Sequence, residues 1–164
     1  TGYSNALNGN IYMLAESLLF TWQFKNWKLF GKNKVSFPFI VIIICIAWLF
    51  ESVIISGITV FNSYFLITYS FILSLMSIHL LSRLILAERG NLLKNPVFLI
   101  CIAFIIYYTF SVLAEAFWIY GFQSKSFTSK VRSISLLTNL IAILLYSIAI
   151  IWMPPKQRFT LPSS

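Results

Sequence analysis

Four apolar runs, each long enough to cross a lipid bilayer as a helix, decide what this chain can become. They are residues 37–61 (FPFIVIIICIAWLFESVIISGITVF), 63–87 (SYFLITYSFILSLMSIHLLSRLILA), 96–122 (PVFLICIAFIIYYTFSVLAEAFWIYGF) and 133–153 (SISLLTNLIAILLYSIAIIWM). A hydrocarbon core of about 30 Å takes roughly 20 helical residues to traverse. Composition points the same way. The 164 residues are 59% hydrophobic and 10% charged, with a mean hydropathy of +0.87, against roughly 45–50% apolar and 25% charged in soluble domains. Four acidic and twelve basic residues cannot clothe a soluble core of this size. The expected fold class is therefore all-α, a polytopic transmembrane helix bundle.

A fifth run, residues 8–27 (NGNIYMLAESLLFTWQFKNW), is less apolar and carries Glu16 and Gln23. Its polar residues are too few for the solvated face of an interfacial helix, so it is read as another span, which makes five. Pro38 and Pro96 fall in first turns, where a missing N–H is harmless, and Pro154-Pro155 ends the last helix. The short FNS at 61–63 reads as a tight hairpin. The chain forms a single transmembrane domain over 1–164, with 154–164 as a tail. Nine of the twelve Lys and Arg residues fall on one side of this arrangement, and Lys125, Lys130 and Arg132 on the other. The excess of positive charge predicts an N-terminus outside and a C-terminus in the cytoplasm.

Polar residues inside spans mark candidate sites, because ionisable groups facing lipid are costly. Helical spacing aligns Tyr12, Glu16 and Gln23, then Tyr108, Ser111 and Glu115, then Asn139, Ala142 and Tyr146. Glu16, Glu51, Glu115 and Asn139 are expected at similar depth in the outer half of the membrane. With Tyr12 and Tyr108 they form a candidate ligand or ion pocket. Clustered carboxylates need either a proton or an entering cation; the bland alternative is that each is a protonated hydrogen-bond donor holding helices together. His79 and Arg83 form an inner polar pair, where Arg83 reaches the headgroups and His79 packs beneath it or relays a proton. Ser70, Ser74 and Ser77, and likewise Ser52 and Ser56, are small residues that let helices approach closely.

Catalysis finds little support. There is one His and no Asp, which excludes a Ser-His-Asp set, and HExxH, GxSxG, P-loop and GxGxxG patterns do not occur. Bis-His haem ligation within one chain is impossible. Cys45 and Cys101 sit in apolar runs and suggest neither a disulfide nor a metal site. No cofactor and no metal is expected. The basic residues lie in short clusters between apolar runs and not along one face, so nucleic acid is not an expected partner.

The stretches NGNIYMLAESLLFTWQF, LLKNPVFLICIAFIIYYTFSVLAEAF and NLIAILLYSIAIIW resemble a family of small uncharacterised membrane proteins from Bacteroidota. The resemblance rests on Asn10, Tyr12, Glu16, Asn95, Pro96, Tyr107, Tyr108, Asn139 and Tyr146. It implies a seven-helix bundle encoded beside sensor histidine kinases, so that two helices would precede Thr1; SVLAEAFW departs from the Ser-Gly-rich stretch the family pattern has there. The leading expectation is a non-enzymatic sensory or accessory subunit whose carboxylates form the input site. Its basic loops would contact anionic lipid, a kinase or another membrane subunit. A small proton or ion translocator working through Glu and His79, and a structural subunit of a larger membrane complex, are the alternatives.

Overall fold

The computed structural model describes residues 3–31, 35–55, 57–87, 91–120 and 125–153. Within them the chain forms five α-helices and no strand. These are α1 (Tyr3–Asn26), α2 (Ser36–Phe50), α3 (Ser63–Ala87), α4 (Pro96–Ile119) and α5 (Lys125–Ile151). Ser36–Ile55, Ser63–Leu86, Pro96–Ile119 and Ser129–Ile151 are each long and apolar enough to cross a membrane. Helix α1 is long enough, but Asn5, Asn8, Asn10, Glu16 and Gln23 dilute its apolar content; it does not join these four.

The helices expose what a soluble protein would bury. Ile42, Ile46, Val53, Leu75, Leu113, Leu140 and Ile150 are all exposed, an apolar surface suited to lipid and much larger than monomeric soluble proteins tolerate. The interior is aromatic. Helix α4 lies between α3 and α5 and packs along both, while α1 packs along α2 and α3. Phe24, Phe65, Phe104 and Tyr108 are fully buried. Phe104 sits with its ring centroid 4.7 Å from that of Phe20 on α1 and 5.9 Å from that of Tyr146 on α5, so edge-on ring contacts tie three helices together.

Local chemistry explains the helix boundaries. Asn95 opens α4: its Oδ1 accepts from the backbone N–H of Val97 at 2.9 Å and Phe98 at 3.3 Å, with Pro96 in the first helical position. An N-cap side chain and a proline at that place satisfy or remove three of the orphan donors of the first turn.

The second apolar run does not continue as one α-helix to residue 61. Helix α2 ends at Phe50 and passes into a π-helical turn, Glu51–Ile55. Gly57 then takes φ +73°, a left-handed conformation that glycine adopts without the steric cost of a Cβ. The connection to α3 is therefore Gly57–Asn62 and not the FNS tripeptide. Two loop carbonyls, of Ile58 and Val60, accept from the Asn10 side chain at 3.4 and 2.7 Å, which supports a non-helical path that the apolar sequence alone does not announce. Helices α1 and α5 start earlier than expected, at Tyr3 and Lys125 in place of residues 8 and 133.

Candidate functional site

Glu16 is the carboxylate that three helices share. It lies half-buried on α1, and its two carboxylate oxygens accept from different helices: Oε2 from the Tyr69 hydroxyl of α3 at 3.0 Å, Oε1 from the Tyr108 hydroxyl of α4 at 3.2 Å. Both tyrosines are buried, and their rings meet edge-on at 6.0 Å. Tyr107 packs edge-on against Tyr108 at 5.1 Å. Tyr12, one turn before Glu16 on α1, is largely exposed at 66%. The first basic residue in the chain, Lys25, is more than two turns further along α1. Glu16 therefore has two neutral hydroxyl donors and a tyrosine-rich surround. Among the expected pocket residues, the structure brings Glu16 and Tyr108 together.

Glu51 has a different task. Buried at 2% exposure, it accepts from the backbone N–H groups of Tyr64 (3.0 Å) and Phe65. A carboxylate at the positive end of a helix satisfies first-turn donors and complements the dipole. It belongs to a wider polar knot at this end of the bundle. Asn10, fully buried on α1, accepts at Oδ1 from the N–H of Asn62 at 3.0 Å, and its backbone oxygen accepts from the Trp48 indole at 3.0 Å. The Asn62 side chain donates to Ser52 Oγ at 2.6 Å. One asparagine thus fixes the whole α2–α3 connection.

Glu51 and Glu16 contact α3 at successive turns. Glu51 meets α3 at Tyr64 and Phe65, Glu16 meets it at Tyr69; at about 1.5 Å per residue the two contacts are some 6–8 Å apart along the helix. Glu115, half-buried near the end of α4, lies close enough to Glu51 for their charges, when both are ionised, to oppose each other. Among the described residues no three His, Cys, Asp or Glu side chains converge as a metal site would require. Tyr108, aligned with Glu115 by spacing, turns to Glu16 because α4 presents it to α1 and α3.

Asn139 is exposed on α5 and stands outside this cluster. The buried positions of α5 are Thr138, Ala142 and Ala149, and Tyr146 packs on Phe104, so Ala142 and Tyr146 of the expected stripe face the bundle while Asn139 lies at its edge. Ser70, Ser74, Ser77 and Ser52 are all buried. The Ser77 hydroxyl donates to the Leu73 carbonyl at 2.8 Å, while those of Ser70 and Ser74 have no hydrogen-bond partner. Ser56 lies outside the described residues.

At the opposite end of the bundle, Arg83 donates through one terminal nitrogen to the carbonyls of Lys28 (2.9 Å) and Leu29 (2.8 Å). It binds the chain where α1 ends. Lys28 has φ +58° and its carbonyl also accepts from the Gly31 N–H at 3.1 Å, so Arg83 adds a side-chain anchor to a turn that closes on itself. His79, one turn before Arg83 and exposed, lines an open cleft of about 380 Å³ together with Ser36, Ile40 and Met76.

The residues that spacing missed are Tyr69, Asn62 and Trp48. Each lies in an apolar run or a short loop, and each acquires its role from a partner ten or more residues away. The fold and this arrangement of buried polar groups define a helical protein of the multi-pass membrane type, with four helices fit to cross a bilayer. No protein-family model, curated protein or solved structure matches the chain.

Proposed function

We propose that the protein is a non-enzymatic, five-span component of the bacterial inner membrane, with its N-terminus outside and its C-terminus in the cytoplasm, acting as a sensory or accessory subunit of a signalling system. The observation that carries this reading is Glu16: a half-buried carboxylate that joins α1, α3 and α4 through two tyrosine hydroxyls. A group in that position couples a chemical event to helix arrangement. Adding a proton or a cation at Glu16 changes which oxygen accepts and which donates, and the helices that hold Tyr69 and Tyr108 respond. Glu51, committed to two backbone donors, supports the frame in which this happens.

The separation of Glu16 from His79 weighs against a translocating relay. His79 opens on a cleft formed with the start of α2, while the tyrosines about Glu16 come from α3 and α4. The test is co-reconstitution in liposomes with a sensor histidine kinase of the host. The expected result is kinase autophosphorylation that depends on this protein and loses that dependence in Glu16→Gln. A kinase indifferent to both forms, or proton flux abolished by His79→Ala, overturns the reading.

A further inference from the structure

We propose that the cleft beside His79 is a binding site for one anionic phospholipid, taking its phosphate at the Arg83 end and an acyl chain along the apolar wall. The inference rests on the membrane reading of the chain but not on its role in signalling. The cleft volume, about 380 Å³, falls within the roughly 300–1,000 Å³ of small-molecule sites.

Its walls are sorted by polarity along the membrane normal. Helices α2 and α3 run in opposite directions, because the end of α2 meets the start of α3 at Glu51 and Tyr64. Ser36, the first residue of α2, and His79 of α3 therefore stand toward the same end of the cleft. Ile40, Leu75 and Met76, each about one turn deeper on the same helices, line the other end. Leu75 is half exposed, so the apolar part opens onto the lipid-facing surface. A headgroup above and a hydrocarbon chain below is the polarity that such a groove matches.

The charge is one-sided. Arg83 uses a single terminal nitrogen for the Lys28 and Leu29 carbonyls, leaving its Nε–H and second terminal nitrogen, three of its five N–H donors, for an anion. Lys25 lies 4.4 Å from the ring centroid of Phe37, next to Ser36, and Lys28 belongs to the turn that Arg83 binds. Neither α3 nor any described residue of α1 beyond Glu16 or of α2 carries an acidic side chain. None of the three cations lines the cleft itself; they stand at its rim, next to the lining residues Leu29, Ser36 and His79, where they favour a phosphodiester with net negative charge over a zwitterion. His79 and Ser36 offer donors, one turn deeper than Arg83, to the ester region below the phosphate.

The experiment is native mass spectrometry of the full chain released from detergent after titration with phosphatidylglycerol, phosphatidylcholine or inorganic phosphate. The expected result is one retained phosphatidylglycerol, phosphatidylcholine bound about tenfold more weakly, and a loss of about tenfold in the His79→Leu and Arg83→Gln variants. Ile40→Trp, which fills the apolar end, should also displace the lipid. His79 is exposed, so His79→Leu keeps the test valid where Arg83→Gln fails to fold. Equal retention of both lipids with unchanged variants overturns the proposal in favour of a non-specific lipid annulus. Phosphate alone competing as well as phosphatidylglycerol overturns it in favour of a free-anion site. A chain that stays soluble without detergent would overturn the membrane reading itself, a result separate from either.

Discussion

Glu16 and Tyr108, 92 positions apart in the chain, meet at 3.2 Å in the interior of the bundle. With Tyr69 on the other oxygen, this contact makes a single carboxylate the common partner of three helices, and the hydrogen-bond pattern there depends on whether Glu16 carries a proton.

The pair is open to a double-mutant cycle. Tyr108→Phe and Tyr69→Phe each remove a hydroxyl and keep the ring, so the edge-on packing with Phe104 and between the two rings survives. Hydrogen bonds between membrane helices couple by roughly 0.6 kcal/mol on average and up to about 1.7. Each Tyr→Phe change combined with Glu16→Gln should give a coupling in that range. Reversible unfolding in mixed micelles measures it. A coupling of zero for both pairs would mean that the hydroxyls do not hold Glu16.

The cap on α3 predicts a graded response. Glu51→Gln retains an acceptor for the N–H groups of Tyr64 and Phe65 but loses the charge at the helix start, costing about 0.5–2 kcal/mol. Glu51→Ala strands two first-turn donors at a buried site and should cost about 2–4 kcal/mol, a value at or above the usual capping range. Amide exchange read at Tyr64 and Phe65 should rise in the same order. Equal effects of the two substitutions would show that shape, and not the carboxylate, matters here.

How far the sequence announces these features depends on the range of the interaction. The apolar runs and the Asn95-Pro96 start of α4 are local, and the chain displays them openly: a lone asparagine before a proline before an apolar run leaves little choice. The break in α2 is partly local, since Gly57 is visible, but the π-helical turn Glu51–Ile55 depends on what Asn10 and α3 offer from a distance. The partners of each carboxylate are not legible, because helical spacing gives a face and not a neighbour. Tyr108 shares a stripe with Glu115, yet the helix that covers it carries Glu16. On α5 the spacing finds Ala142, which is buried, but Thr138 and not Asn139 is the buried polar residue one turn before it.

Asn10 should be the most sensitive polar residue in the chain. Its side chain accepts from Asn62 and donates to Val60, so Asn10→Leu leaves a donor and an acceptor of the α2–α3 connection unpaired in a buried setting. The expected loss is about 2–4 kcal/mol. Faster amide exchange should be confined to residues 57–65. Asn10→Asp restores the acceptor for the Asn62 N–H but not the donor to Val60, and adds a buried charge; it should be no better tolerated than Asn10→Leu. A neutral Asn10→Leu would remove the loop anchor from the account of why α2 ends where it does.

Labelling with a membrane-impermeant thiol reagent decides whether α1 is a span. With Cys45 and Cys101 replaced by Ala, single cysteines at Asn5, Gly31, Asn91 and Tyr120 report the sidedness of four exposed positions. Five spans, oriented by the positive charge of the loops, put Asn5→Cys and Tyr120→Cys outside, and Gly31→Cys and Asn91→Cys inside, labelled only after the membrane is opened. If α1 lies along the interface, Asn5→Cys and Gly31→Cys must label from the same side. The energetic case for crossing lies in where α1 keeps its polar groups. Asn10, Ser17 and Thr21 are fully buried and Glu16 is held by two hydroxyls, so the polar side chains in the middle of α1 are turned inward, while Asn5 and Asn8 near its start are exposed. Ile11, Leu19 and Trp22 are exposed. A helix that exposes its apolar residues and bonds its polar ones to a bundle meets the condition for lying in hydrocarbon, and does so despite a composition that falls short of its neighbours'.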